Sequence, residues 1–359
     1  MITRRQFLAG AIAGTGALAL GRMELPSVAE ATPVPAHLGG FAETLKGQSY
    51  PAAFTQYQNE AGRGVDLYRT YRSWGQSVFN TTLDTILSPT KNPYPVPRIY
   101  ISLHPFTGTK GTSGCIPWAD ITAGQHDDVL DSWAADLAKL DRPYIAFNHE
   151  MENEEGTPDG SACGTADDFR NAYWHVRQRI ESHDGVSGAR WVVTYMRNTF
   201  APVLKHGGPA QWWPTPSDPA FNGTVADDAL LGVDVYNRNV CHYKGWQTFH
   251  DLVNPTLVSR KKQALTCRRF AQGVGRRIFI GEMGCVEGDD CGGTLPHGTA
   301  KAKWFTDMLN EVKGWSDGLE AMCYSQVNGF NNGNYRIDTS SQAQAAFQTL
   351  AADPFFAHS

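Results

Sequence analysis

The stretches PYIAFNHE at residues 143–150 and RIFIGEMG at residues 277–284 carry the clearest structural signal in this chain of 359 residues. In each stretch an apolar run ends at a carboxylate, Glu150 in the first and Glu282 in the second. Short continuous apolar runs are typical of parallel strands covered on both faces. Residues at the carboxyl ends of such strands lie where α/β sheets bind their ligands. The sequence therefore predicts that both glutamates end a strand at one functional edge of a parallel sheet.

Strand-like and helix-like segments alternate along most of the chain. The eight predicted strands cover residues 38–42, 65–71, 98–103, 143–148, 191–195, 230–236, 278–281 and 319–325. Apolar residues recur with helical spacing between them, as in Leu130, Trp133, Leu137 and Leu140. Strict alternation implies a parallel sheet with right-handed crossovers. Eight units in a chain of this length favour a closed (β/α)8 TIM barrel, with a doubly wound open sheet as the alternative.

The first 31 residues differ in character from the rest of the chain. Arg4 and Arg5 precede an apolar run that extends to Leu20, and AEA at residues 29–31 has the small-x-small pattern of a cleavage site. This combination is typical of a secretory signal of the twin-arginine type, and the run is too short for a membrane span. We therefore expect a signal peptide at residues 1–31, a folded domain at residues 32–359, and a secreted protein without a membrane anchor.

The composition excludes some classes of partner. A formal net charge of −5 at pH 7 gives no reason to expect binding to nucleic acid or to an anionic membrane. The 10 tryptophans and 13 tyrosines include candidates for stacking on sugar rings, although most aromatic side chains fill the core of a large domain. No repeat, linker or low-complexity tract indicates an appended module. We expect a monomer without a cofactor.

Seven cysteines fit an oxidising compartment and leave at least one thiol unpaired. We expect a disulfide between Cys285 and Cys291, which close a short loop, and a possible second one between Cys115 and Cys163. Cys323, inside an apolar strand, is expected to be a buried thiol. No pair has the CxxC spacing of a zinc site, so we expect no structural metal.

Several short motifs together resemble glycoside hydrolase family 26, a group of barrel enzymes best known for β-mannanases. The resemblance runs through most of the chain after residue 31. Its specific pieces are NHEM at 148–151, GEMG at 281–284, GVDVYN at 232–237, LHP at 103–105 and AYWHV at 172–176, together with the region from KW at 303–304 to YRID at 335–338. A lone HEM tripeptide is weak evidence for a family, because any three residues recur by chance. The combination of HEM after strand four with GE at strand seven is stronger evidence for this resemblance.

The resemblance implies a retaining glycoside hydrolase that cleaves a β-linked polysaccharide or oligosaccharide, such as β-1,4-mannan. Glu150 would be the general acid/base and Glu282 the nucleophile, with carboxyl groups about 5–5.5 Å apart. Glu282 must be ionised to attack, whereas Glu150 must start protonated. Two alternatives remain: the glutamates are buried ion-pair partners, or the chain is an extracellular barrel that binds carbohydrate without cleaving it.

Other site residues are implied by their positions in the same motifs. Tyr236 matches a family tyrosine that hydrogen-bonds the nucleophile. His149 precedes the acid/base and either holds it in place or touches the sugar. His104 matches a position that contacts the sugar at the cleavage site, although an isolated histidine in a loop is more often structural.

Three aromatic residues are candidates for the sugar-binding surface. Trp212 and Trp213, in the long loop after strand five, either stack on sugars or fix their own loop. Tyr324 stands where the family usually has a tryptophan at the end of strand eight. The family also continues after HEM with Asn-Gly and a tryptophan, whereas this chain has ENEEG at residues 152–156. Both departures concern the choice of sugar rather than the cleavage chemistry.

The acidic stretch ENEEGTPD at residues 152–159 suggests either a solvated loop or a calcium site. It lacks the ligand spacing of an EF-hand, which favours the solvated loop. A zinc protease is disfavoured because Asn153 stands where the second histidine of the HExxH motif would follow His149. A serine hydrolase is disfavoured because the chain has no Gly-x-Ser-x-Gly motif.

Overall fold

The computed structural model describes residues 35–108, 114–156, 162–186, 188–200, 207–242, 245–254, 266–315 and 318–356. The predicted signal peptide and Asp159 of the acidic stretch lie outside these residues. Within the described part of the chain, no helix combines the length and the apolar character needed to cross a membrane.

Eight parallel strands close into a barrel in sequence order, and the first strand pairs with the last. The strands are β1 (His37–Ala42), β2 (Leu67–Arg72), β3 (Arg98–Leu103), β4 (Tyr144–Phe147), β5 (Arg190–Met196), β6 (Leu230–Asn237), β7 (Ile278–Cys285) and β8 (Leu319–Gln326). Each predicted strand overlaps one of these, so the predicted (β/α)8 TIM barrel is confirmed.

Helices lie between the strands and pack their apolar faces against the barrel. They are α1 (Tyr50–Ala61), α2 (Thr81–Ile86), α3 (Trp118–Thr122), α4 (Asp127–Leu137), α5 (Ala166–Glu181), α6 (Pro209–Trp212), α7 (Phe249–Val253), α8 (Cys267–Val274), α9 (Thr299–Lys313) and α10 (Ser341–Ala351). The start of α5 is fixed by a capping box in which the side chains of Thr165 and Asp168 each accept from the other's backbone N–H. The predicted helical spacing around Leu130 and Trp133 lies in α4, where both side chains are buried.

The interior of the barrel changes character along the strands. Its middle is filled by buried side chains, namely Leu67, Tyr100, Tyr144, Ala146, Val192, Leu230, Phe279, Ala321 and Cys323. Side chains two residues apart on a strand point to the same face. On β2 the inward position after Leu67 is therefore Arg69, and on β6 the inward face reaches Asp234 two residues before Tyr236. The apolar core thus gives way to polar groups towards the carboxyl ends of the strands.

Glu282 lies within β7 rather than at its end, because the strand continues to Cys285. Asp234 of β6 is its register partner across the sheet, directly after an irregularity in the pairing of the two strands. Glu150 also differs in detail from the prediction, since β4 ends at Phe147 and the glutamate follows three residues later.

Two disulfides join loops at the rim formed by the carboxyl ends of the strands. Cys115–Cys163 connects the segments after β3 and β4, as predicted. The predicted Cys285–Cys291 bridge is wrong, because Cys291 pairs with Cys241 in the loop after β6. Cys285 is instead fully buried at the end of β7, where its sulfur accepts a hydrogen bond from the Asn237 amide at 3.3 Å. Cys323 is a buried thiol, as expected.

Candidate active site

The Glu282 carboxylate is held by hydrogen bonds to both of its oxygens. The Tyr71 hydroxyl donates to Oε1 at 2.7 Å, and the Tyr236 hydroxyl donates to Oε2 at 3.0 Å. Ser325 on β8 lies 2.8 Å from the Tyr236 hydroxyl and fixes its direction. Burial, together with the charge of Glu282, raises the pKa of both tyrosines well above the ordinary value, so both stay protonated donors. The contact predicted between Tyr236 and Glu282 is therefore present.

A fully buried arginine lies beside the same carboxylate. Arg69 on β2 places its guanidinium 3.3 Å from Glu282 Oε1 and lies between the rings of Tyr71 and Tyr100, about 4 Å from each centroid. Burial alone lowers the pKa of Arg69. The two phenols, Glu282 and Asp234 outweigh burial and hold that pKa above its ordinary value. A permanent positive charge thus lies in the floor of the site.

Glu150 is positioned by an unusual turn after β4. Asn148 and Glu150 both adopt left-handed backbone conformations, with φ of 49° and 53°. The turn is pinned on both sides, since Asn148 N–H donates to Leu103 of β3 at 2.8 Å and Glu150 N–H donates to Thr194 of β5 at 2.7 Å. The Asn153 amide donates to Glu150 Oε2 at 3.3 Å. Left-handed conformations in non-glycine residues persist only where the surroundings enforce them, and they cluster at functional sites.

The two predicted histidines lie together beside Glu282. His149 Nε2 is 3.5 Å from Glu282 Oε1, so His149 reaches the nucleophile candidate from the β4 side. His104 packs edge-on against His149, with ring centroids 4.5 Å apart, and stacks on Tyr71. Both histidines are almost completely buried. His149 lines the open cavity described below, whereas His104 supports it from behind.

His149, Asp234 and Glu282 also place potential metal ligands within 4.8 Å of one another. An imidazole with two carboxylates suits several divalent cations. However, the guanidinium of Arg69 already contacts Glu282 and its charge acts on Asp234, so a second positive charge here would be repelled at short range. The arrangement fits carboxylate chemistry better than metal binding.

The acidic stretch after Glu150 is not the solvated loop favoured by its sequence. Glu152 is fully buried and Glu154 nearly so. Glu152 Oε1 accepts hydrogen bonds from the Met196 N–H at 2.7 Å and from the Thr199 hydroxyl. Burial raises the pKa of Glu152 to about 7, and the nearby Glu150 adds to the shift. Glu152 therefore fastens the segment that carries Glu150 to the end of β5.

The three aromatic candidates for sugar stacking are packed inside the protein. Trp212 is fully buried against Trp118, and Trp213 packs edge-on against Phe270, so the packing corresponds to the alternative of a fixed loop. Tyr324 is fully buried and donates to the Tyr335 carbonyl at 2.6 Å. Stacking on a sugar requires an exposed ring face, which none of the three provides. At the end of β8 the side chain that faces the site is Ser325.

An open groove crosses the site in two halves that meet at Glu282. The first half, which we call the basic half, has a volume of about 450 Å³ and is lined by His149, Glu150, Asn153, Met196, Arg197, Asn198, Asp234, Tyr236, Arg238, His242, Gln247, Glu282, Phe330 and Asn331. The second, the aromatic half, has a volume of about 590 Å³ and is lined by Phe41, Glu43, Tyr50, Tyr71, Tyr236, Glu282, Ser325, Val327, Asn328, Gly329 and Phe330. Both glutamates therefore face one groove.

The barrel resembles solved structures of polysaccharide-cleaving enzymes. An endo-β-1,4-mannanase double mutant from Cellulomonas fimi has a TM-score of 0.56 and 16% identity, with 90% of this chain and 72% of that chain covered. The catalytic domain of a GH26 endo-β-1,4-mannanase from Bacillus sp. JAMB-750 has a TM-score of 0.55 and 15% identity, covering 90% and 87%. A fungal β-1,4-galactanase has a TM-score of 0.58 and 13% identity, covering 88% and 100%. These likenesses establish a shared fold.

Sequence similarity adds nothing to this comparison. No protein-family model matches the chain, and no curated protein matches it. The functional conclusion therefore depends on the geometry of the groove.

Several residues of the site were not found from the sequence. Three of them, Arg69, Tyr71 and Asp234, are neighbours of Glu282. Two others, Tyr50 and Phe330, are aromatic residues that line the groove and are 46% and 43% exposed. A signal existed for the first three, because they continue the inward-facing alternation that begins with Leu67 on β2 and with Leu230 on β6. A charge on the inner face of a barrel strand requires a partner there.

Proposed function

We propose that this protein is a retaining glycoside hydrolase with Glu282 as nucleophile and Glu150 as general acid/base. The observation that carries the proposal is the Glu282 carboxylate, fixed by two phenols and a buried guanidinium in a groove that Glu150 also lines. A buried ion-pair partner has no need of an open groove. Double displacement needs a fixed, accessible carboxylate opposite a second carboxyl group.

The reaction proceeds in two steps. Glu282 attacks the anomeric carbon, the glycosidic carbon–oxygen bond breaks, and Glu150 gives its proton to the leaving oxygen. Water then attacks the covalent intermediate while Glu150 takes a proton from it, which releases Glu282 and retains the anomeric configuration. The hydroxyls of Tyr71 and Tyr236 hold the attacking carboxylate in one orientation throughout.

The substrate we propose is a β-linked polysaccharide or oligosaccharide. The named neighbours are β-1,4-mannanases and a β-1,4-galactanase, which makes β-1,4-mannan and related glycans the first substrates to test. The open shape of the groove fits a chain that passes across the top of the barrel. Phe330, which is 43% exposed, and the half-buried Tyr236 are in contact where the two halves meet, and they form an apolar surface for a sugar there.

We also propose that residues 1–31 direct export and are removed. The two disulfides support an extracellular location, because such bonds persist in oxidising compartments. Cleavage at the predicted site is tested by determining the N-terminus of the protein recovered from the culture medium.

The test of the activity is a panel of β-mannan, β-galactan, mixed-linkage glucan and xylan, with product analysis. Glu282→Gln and Glu150→Gln are measured beside the unchanged protein, and a 2-fluoro glycosyl fluoride of the cleaved sugar is used to trap the intermediate. We expect a covalent adduct on Glu282 and loss of cleavage in both variants. Glu150→Gln should retain more activity on substrates with an activated leaving group, since these need no protonation.

Two results would contradict the proposed function. Cleavage that survives both substitutions would contradict the assignment of these two glutamates. Tight binding of a polysaccharide without cleavage of any member of the panel would instead indicate a barrel that binds carbohydrate only.

A further inference from the structure

The two halves of the groove have different roles in the proposed reaction. Glu282 lines both halves, whereas Glu150 lines only the basic half. The general acid must reach the oxygen of the leaving group. The basic half is therefore where the leaving part of the substrate lies, and the aromatic half holds the part that becomes attached to Glu282.

Two arginines form the outer wall of the basic half. Arg197 follows directly after β5, and Arg238 follows directly after β6. Both are half-buried residues that line the cavity. Both side chains line one cavity, and, consistent with that placement, burial lowers the pKa of Arg197 and the charge of Arg238 lowers it further. Neighbouring strands thus present two like charges to one cavity.

Neither arginine has a carboxylate partner among the described residues. Arg197 donates a hydrogen bond to the neutral amide of Gln247 at 3.1 Å. Arg238 lies over the rings of Tyr236 and Phe330, with distances of 5.7 and 5.5 Å to their centroids. Elsewhere in the barrel, Arg177 pairs with Asp228 at 2.6 Å, and the buried Arg72, which has no acid partner in the part of the chain that the structure describes, donates instead to the backbone carbonyls of Tyr71, Ser77 and Val78. Two adjacent partly desolvated cations without a counter-ion cost free energy that a bound anion would recover.

The acidic residues of the basic half do not serve as counter-ions of Arg197 and Arg238. Glu282 and Asp234 lie at the floor with Arg69, and Glu150 accepts from Asn153. The rest of the lining on that side is neutral or basic, including Asn198, Asn331 and His242. The wall therefore carries excess positive charge, in contrast to the net negative charge of the whole chain.

We propose that the basic half of the groove binds an anionic sugar residue of the leaving group, with Arg197 and Arg238 contacting its acidic group. The planar guanidinium matches a carboxylate through two parallel hydrogen bonds, so a uronic acid is the residue that fits best. A sulfate ester on a neutral sugar offers the same charge and is the second source of such an anion. The proposal rests on the proposed function for the direction of the chain, but the binding of the anion does not require cleavage.

The test measures binding by calorimetry in the Glu282→Gln background, so that no ligand is consumed. The probes are a neutral β-1,4-manno-hexasaccharide, a β-1,4-mannuronate hexasaccharide and a sulfated manno-hexasaccharide. Each is titrated into the parent and into the Arg197→Gln/Arg238→Gln double variant. Arg142→Gln, which removes an exposed charge in the turn before β4, is the control for non-specific attraction.

We expect the mannuronate ligand to bind about ten- to a hundredfold more tightly than the neutral one, in line with hydrogen bonds between charged groups. The preference should disappear in the double variant, persist in Arg142→Gln, and shrink as salt is added. A larger preference for the sulfated ligand supports the same anion site and identifies sulfate as its source. Equal affinity for neutral and anionic ligands, or a preference that the double variant retains, would overturn the proposal.

The two proposals fail separately. Cleavage of neutral mannan without any anion preference refutes the anionic subsite and leaves the hydrolase intact. An arginine-dependent anion preference without cleavage of any glycan, neutral or acidic, refutes the hydrolase and leaves the subsite.

Discussion

The barrel holds a glutamate between arginine and tyrosine side chains at both of its ends, and the two sites differ mainly in access. At the carboxyl ends of the strands, Glu282 contacts Arg69, Tyr71 and Tyr236, and 15% of its side chain is exposed to a groove. At the opposite end, Glu320 accepts from Tyr144 at 2.6 Å and from Arg277 at 2.7 Å, with only 5% exposed.

The difference in access matches the two roles that we propose, a reactive carboxylate at Glu282 and a structural one at Glu320. In the Glu320 site the acid is buried, whereas Arg277 and Arg190, which both pair with it, reach solvent. These ion pairs stabilise the end of the barrel that lies opposite the groove. In the Glu282 site the arginine is buried and the acid reaches the cavity. On barrels of this type, groups at the carboxyl ends of strands serve chemistry and groups at the other end serve stability. The same three residue types therefore serve two purposes.

The strongest test of this contrast replaces each glutamate by glutamine. Glu282→Gln should lower kcat/KM on the best substrate by on the order of 10³-fold or more, because the variant lacks the proposed nucleophile. Glu320→Gln should leave kcat/KM of the folded protein unchanged and lower the free energy of unfolding by about 2 kcal/mol, the value of charged hydrogen bonds. Steady-state kinetics and urea unfolding measure the two effects. Loss of activity in folded Glu320→Gln would break the contrast.

The Cys241–Cys291 disulfide should stabilise the groove end of the barrel and not the opposite end. Cys241 and Cys291 are 50 residues apart in sequence, and their bridge joins loops at the groove end. The Cys241→Ser/Cys291→Ser double variant should lose about 2–4 kcal/mol of stability. Amide hydrogen exchange should become faster around residues 238–242 and stay unchanged in β8 near Glu320. Equal acceleration at both ends would show that the bridge stabilises the whole barrel rather than its rim.

Glu152 should make the groove end sensitive to pH. Its pKa is about 7 in the folded protein against an ordinary value of 4.5, so the unfolded chain loses this proton first as the pH rises. Its contribution to stability is therefore greatest below pH 4.5 and is lost as the pH rises through 7. As the pH rises from 4.5 to 7, the free energy of unfolding of Glu152→Gln should therefore increase relative to that of the parent by up to about 3 kcal/mol.

Urea unfolding at pH 5 and pH 8 measures this difference. Thr199→Val is the matched control, because it removes a hydrogen bond to Glu152 and keeps the carboxyl group. It should be less stable than the parent and retain the pH dependence. A Glu152→Gln difference that is the same at both pH values would refute the assignment.

The smallest expected effects come from removing one hydroxyl at each end. Tyr71→Phe should lower kcat about tenfold, because Glu282 loses one charged hydrogen bond but keeps Tyr236 and Arg69. Tyr144→Phe should leave kcat unchanged and cost about 1–2 kcal/mol of stability. Comparable losses of kcat in both variants would mean that the two ends are not functionally distinct.

The sequence was most informative where the signal is local. Strand order and barrel closure follow from eight apolar runs separated by helical spacing, since each run must be covered on both faces. Glu282 was noticed because it interrupts such a run, and Glu150 because it follows one after Asn148 and His149. Both positions needed adjustment by a few residues, because pairing between strands rather than composition decides where a strand ends.

Features that depend on contacts between residues distant in the sequence were predicted less accurately. Cys291 pairs with Cys241, 50 residues away, rather than with nearby Cys285, because the end of β7 turns Cys285 into the core. Trp212 and Trp213 are residue types that stack on sugars, but both side chains are buried against other aromatic rings. Arg69 was overlooked because its partner Glu282 lies 213 residues further along the chain. Proximity of that kind exists only once the barrel closes.

The two halves of the groove are built from different parts of the gene. Apart from Tyr236, Glu282 and Phe330, which line both halves, the aromatic half draws mainly on β1, β8 and the segments next to them, whereas the basic half draws mainly on the segments after β4, β5 and β6. Under the proposed function, a substitution among the residues that line only one half would alter recognition on one side of the scissile bond and leave the lining of the other side unchanged.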